Sequence, residues 1–238
     1  MRSRIVSLSI FSIAMGFLEA AVVVYLRQLY YPEGFSFPLK PMALEGLFIE
    51  SLREIATVIM LVSVGMAAGR IFSERLAYVL YCFGIWDIFY YVWLKVLLDW
   101  PQSFLTWDLL FLVPIVWAGP VAAPITCAFT MVAIGVSILY LHGKGSPAKI
   151  GFLEWAVLSL GGAIIFSSFV WEYARIMMRG SGISYMFSLG KDPQLQSAIA
   201  RHVPDSYNWY LFAIGECMML GVLSMLYRRA GSNSADSL

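Results

Sequence analysis

Residues 5–28, IVSLSIFSIAMGFLEAAVVVYLRQ, form an apolar run of 24 positions broken by only two charges, Glu19 and Arg27. As a helix rising ~1.5 Å per residue, the run is long enough to cross a hydrocarbon core ~30 Å thick. The preceding Met1-Arg2-Ser3-Arg4 would suit a secretory leader, but the apolar run outlasts the roughly 7–15 residues of a leader's core. It is therefore read as a first spanning helix, and the chain as one dissolved mainly in lipid.

The rest of the sequence repeats that pattern. Further apolar windows lie near 46–69, 75–97, 106–141, 151–177 and 207–227. They predict an all-α, polytopic integral membrane bundle of about six transmembrane helices. Composition agrees: 60% of the 238 residues are hydrophobic and 13% charged, about half the charge of a soluble domain. The fourth window is too long for one crossing and holds Pro114, Gly119-Pro120 and Pro124. Proline removes a backbone donor and clashes with the preceding turn. A Pro-broken fourth helix is expected, with a half-helix near 106–117 ahead of a full span; if both pieces cross, the count becomes seven. Residues 1–230 make a single transmembrane helical domain, and 231–238 a flexible polar tail. An amphipathic stretch near 193–202 is placed on the membrane surface.

With six spans, each face holds eight Lys and Arg residues, so basic charge does not orient the chain. Only Glu74, Glu154 and Asp236 of the 15 acids fall on the face carrying the termini. Acids count for little in membrane orientation, but the balance leans towards cytoplasmic termini in a plasma or inner membrane. The net charge of +1 carries no basic block, and no nucleic-acid partner is expected. Membrane lipids, and other membrane subunits, are the expected partners.

Charge inside a bilayer costs at least ~2.5–3.5 kcal/mol per residue on insertion scales, so it marks pairing or function. Glu19, Glu54, Asp87, Glu172 and Glu216 lie roughly seven, eight, ten, five and nine residues from the same face of their helices. That depth is ~7–15 Å, and the shared face is the one opposite the termini, called the loop face below. Each sits on a polar or small-residue stripe of helical spacing, such as Ser9, Ser12, Gly16, Glu19 or Asp87, Tyr91, Lys95. The expected ligand- or ion-binding set is Glu19, Glu54, Asp87, Glu172 and Glu216 with Arg53, Tyr91 and Lys95, converging on one interior cavity. Arg53, Lys95, Arg175 and Arg179 lie at the same level, so a purely structural ion network is the competing reading. Trp86 lies deep enough to line a pocket, whereas Trp100 and Trp107 suit an interfacial aromatic belt.

No resident cofactor is expected, although a carboxylate-bound cation fits the acids. His142 and His202 fall near opposite faces, and Cys82, Cys127 and Cys217 stand singly in apolar runs. Neither set suits haem, zinc or dithiol chemistry. Phosphate-binding glycine loops, nucleophile elbows and zincin helices are missing from the sequence. Three functional classes remain open: movement or binding of a proton, cation or polar solute; a non-catalytic subunit of a membrane complex; and a membrane-embedded enzyme on a lipid-borne group, with Asp87 or Glu54 as base.

Overall fold

A computed structural model describes residues 2–144, 150–179 and 197–235. Six long helices dominate: α1 (Arg2–Tyr30), α2 (Leu44–Ala68), α3 (Phe72–Leu98), α4 (Ala122–Gly143), α5 (Phe152–Arg179) and α6 (Trp209–Ala235). Five of them, all but α2, are long and apolar enough to cross a membrane. The chain thus has the architecture of a helical integral membrane protein. The polar tail expected from residue 231 begins inside α6, and its last three residues lie outside the described ones. Residues 193–196 of the surface stretch expected at 193–202 also lie outside them; residues 197–199 form a short helical turn.

Helix α3 is the hub, packing against α4, α1 and α2, while α5 packs on α6 and α4 joins the two groups. Close approach at small residues makes this geometry, as expected for helices in lipid. A Cβ added to Gly84 would stand 2.5 Å from the Ala128 carbonyl of α4, and one on Gly135 would stand 2.6 Å from the Ala77 carbonyl of α3. Gly65 of the Gly65-x-x-x-Gly69 pattern seats α2 on Val79 in the same way. The polar stripe of α1 also faces α3: Ser9 bonds the Tyr81 hydroxyl at 2.8 Å, and Gly16 abuts the Trp86 carbonyl. Leu8, Met15, Tyr78, Cys82, Ile134, Ile138, Val222 and Leu226 close the core between these helices. Large apolar side chains such as Ile10, Leu18, Phe48, Ile59 and Leu160 point outward, where a lipid solvent would meet them.

The fourth window corrects one expectation. Residues 106–120 make no half-helix. They form an antiparallel hairpin, β1 (Trp107–Phe111) and β2 (Trp117–Pro120), pairing Asp108 with Gly119 and Leu109 with Ala118. A bulge at Leu110 shifts the register before Phe111 meets Trp117. The bulky Trp107, Phe111 and Trp117 favour extended backbone, and Pro114 sits in the turn, where no ladder donor is required. Pro124 does not break α4 either. It lies in the first turn, where backbone N–H groups have no intrahelical partner. The hairpin packs among helices: Trp117 meets Phe166 and Phe169 of α5, and Phe111 meets Trp86 of α3. Leu39, from the α1–α2 connection, shares an apolar cluster with Ile115, Val116 and Ala118. Irregular backbone at membrane depth is tolerated when it is enclosed by protein in this way.

Candidate functional site

A cavity of about 660 Å³ lies among α1, α2, α3, the hairpin, α4, α5 and α6. It runs from Tyr30, Lys40 and Leu44 near the loop face inward to Gly162 and Met219. Of the residues expected to form a site, Glu19, Arg53, Glu54, Asp87 and Glu216 line it. Antiparallel helices brought the acids to one level, and the polar stripes turned them inward.

Three of the expected residues stand elsewhere. Glu172 pairs with His202 at 3.1 Å, away from the cavity wall, and that histidine is half-buried. Lys95 does not reach Asp87. It pairs with Asp99 at 2.7 Å, with both side chains largely exposed (51% and 81%), because Asp99 closes α3 in a left-handed conformation that returns its carboxylate to the last turn. Tyr91 is buried beside the cavity rather than on its wall, and its hydroxyl donates to Asp108 at 3.0 Å.

Asp108, Arg27, Glu50 and Lys40 are the cavity-wall charges that the sequence left unassigned. Asp108 is 1% exposed and accepts hydrogen bonds from Arg27 Nη2 (3.0 Å), the Tyr91 hydroxyl (3.0 Å) and its neighbour's N–H, Leu109 (2.9 Å). The guanidinium of Arg27 also lies 3.7 Å from the centre of the Trp100 ring and 4.6 Å from that of Phe35. Trp100 is thereby buried rather than part of an interfacial belt.

The other end of β1 is held by Glu54. Its carboxylate accepts the backbone N–H of Leu112 (2.9 Å) and of Val113 (3.2 Å). The hairpin is thus fixed at its base by Asp108 and at its tip by Glu54. Without Glu54, two donors at the turn would lack a partner inside the bundle. A third compensated group is Arg53, which bridges Glu19 of α1 and Glu50 of its own helix (Nε–Oε2 2.9 Å); Thr57 completes the Glu19 shell at 3.2 Å.

Asp87 and Glu216 are different. Glu216 is 6% exposed and receives one bond, from Thr130 Oγ1 at 2.7 Å, while its Oε1 is buried without a partner among the described residues. Asp87 has neither a hydrogen bond nor an ion pair among the described residues, and the charges it chiefly feels are those of Asp108 and Glu19, both acids. Cys127 of α4 lines the same cavity. Trp86 and Trp117 also line the cavity, each with a buried indole N–H that has no partner among the described residues. Among the described residues, no group of three or more His, Cys, Asp and Glu side chains is arranged to hold a metal ion.

The cavity therefore divides by chemistry. In the part towards the loop face every carboxylate has a protein partner, and these contacts hold the fold together. The inner part carries two carboxylates whose positive partner is not supplied by the described protein. No protein-family model, curated protein or solved structure matches this chain.

Proposed function

We propose that this protein binds a positively charged or proton-donating solute within the membrane, through Asp87 and Glu216, and moves it across. In this reading α2 is the sixth crossing, the termini are cytoplasmic and the protein resides in a plasma or inner membrane. The observation that carries the reading is the imbalance of the cavity wall. Six acids (Glu19, Glu50, Glu54, Asp87, Asp108, Glu216) face three bases (Arg27, Lys40, Arg53), and Asp87 and Glu216 are the two with neither an ion pair nor a backbone N–H partner among the described residues. A buried carboxylate left without a cation, water or donor is strongly disfavoured, so the site is complete only when something positive, a proton included, occupies it. Arg27 holds Asp108, Arg53 is shared by Glu19 and Glu50, and the N–H groups of Leu112 and Val113 hold Glu54, which leaves the inner pair available.

Thermal unfolding of the purified protein in nanodiscs tests this against a panel of monovalent and organic cations and, separately, anions. At least one cation should raise the melting temperature with a saturable dependence, and the anions should not. Asp87→Asn with Glu216→Gln should abolish the cation response. If no cation and no change of pH alters stability through these two residues, the charges are structural, and the accessory-subunit reading takes the place of this one.

A further inference from the structure

Resting on the reading above, we infer that the occupant is an organic ammonium ion carrying an apolar body, rather than a metal or alkali ion. Four observations meet at the inner end. Glu216 is more than nine-tenths buried and presents Oε1 without a partner, which calls for a donor from outside the described chain. Asp87 lies on the same wall with acids as its main electrostatic neighbours. Among the described residues, no three His, Cys, Asp or Glu side chains gather there to hold a metal ion, and a hard cation takes six or more oxygens. The remaining wall is aromatic and aliphatic: Phe83, Trp86, Phe111, Trp117, Phe166 and Phe169.

Ring faces attract ammonium groups, and aromatic enclosures with one or two carboxylates suit alkylated amines. A bare alkali ion would lose its hydration to such a wall and gain little, whereas an amine brings its own apolar surface to cover the rings. The volume, about 660 Å³, lies in the range of sites that take molecules of drug size. Access agrees with an amphiphile. Helices α2 and α5 both line the cavity, yet α2 packs on α3 and α5 on α6, with no extensive packing between the two. A bilayer-dissolved molecule entering between α2 and α5 would meet Phe48 and Phe166 with its apolar part and bring its ammonium group to Asp87 and Glu216.

The test is a set of three nearly isosteric probes, 4-phenylbutylamine, 4-phenylbutanol and 4-phenylbutyrate, titrated against the full chain in nanodiscs. Tryptophan fluorescence, to which Trp86 and Trp117 contribute, and melting temperature are the readouts. The amine should bind at least 30-fold more tightly than the alcohol, on the order of two charge-assisted hydrogen bonds, and the acid should not bind. Glu216→Gln and Asp87→Asn should each cut amine affinity about tenfold and leave alcohol affinity unchanged. Glu54→Asp, which keeps the hairpin's acceptor, should leave the amine-over-alcohol ratio intact. The inference is overturned if alcohol and amine bind equally, or if the double variant, melting normally, keeps its preference for the amine. Stabilisation by sodium, potassium or protons through the same two residues, with no response to the amine, would also overturn it, while leaving the broader cation reading standing. No response to any cation would overturn both.

Discussion

The two ends of the cavity hold the same kinds of side chain and use them in opposite ways. At the hairpin, every carboxylate has protein partners: Asp108 has Arg27 and Tyr91, Glu54 has two backbone N–H groups, and Glu19 and Glu50 share Arg53. At the inner end, Asp87 and the second oxygen of Glu216 have none among the described residues. Charge in a membrane interior is therefore not one signal. A compensated carboxylate substitutes for missing secondary-structure bonds, and an uncompensated one awaits a partner. Removing the first should unfold something, whereas removing the second should relieve the fold and cost only binding.

The largest effect is expected at the hairpin base. Arg27→Met leaves Asp108 buried and unpaired and should cost about 3–5 kcal/mol. Arg27→Met with Asp108→Leu should recover most of that loss, which thermal melts of the two variants would show. A double variant as unstable as the single would mean that Asp108 holds the hairpin by more than its charge pair.

Next comes Glu54→Gln. An amide oxygen in the place of Oε2 can accept from both N–H groups, but the amide NH2 then stands where Oε1 accepts from Leu112, donor facing donor. The expected loss is about 1–3 kcal/mol. Hydrogen exchange should accelerate at Leu112 and Val113 before it changes in α3 or α4; unchanged exchange at the hairpin tip would break the structural half of the comparison. The smallest effect belongs to Lys95→Met. Its pair with Asp99 is exposed, and stability should change by about 0–1 kcal/mol, with amine or cation binding untouched. A loss of binding there would restore Lys95 to the site from which its geometry excludes it.

The sequence carried the helices and the level of the acids, because both depend on hydropathy and on a fixed rise per residue. It did not carry the hairpin. Residues 106–141 are apolar almost throughout, and periodicity cannot separate a buried strand from a buried helix. The clue that could have separated them was Trp107, Phe111 and Trp117 flanking Pro114 within a dozen residues. Missing the hairpin also hid Arg27 and Asp108, which meet across 81 positions and share no helical spacing. Lys95 was misplaced for a different reason. Its stripe with Asp87 and Tyr91 is real, but a long flexible side chain near a helix end takes the nearest exposed acid, here Asp99. Glu172 likewise found His202 in the following connection, a contact that counting along α5 could not show.

The most direct measurement of the central claim compares melting curves of the wild type, Asp108→Asn and the Asp87→Asn, Glu216→Gln double variant, each with and without a saturating cation that stabilises the wild type. The account predicts that the inner double variant melts at or above the unliganded wild type and no longer responds to the cation. Asp108→Asn should melt well below the wild type yet still respond. An inner double variant that melts as low as Asp108→Asn, or one that keeps the full cation response, would contradict the division between structural and available charge.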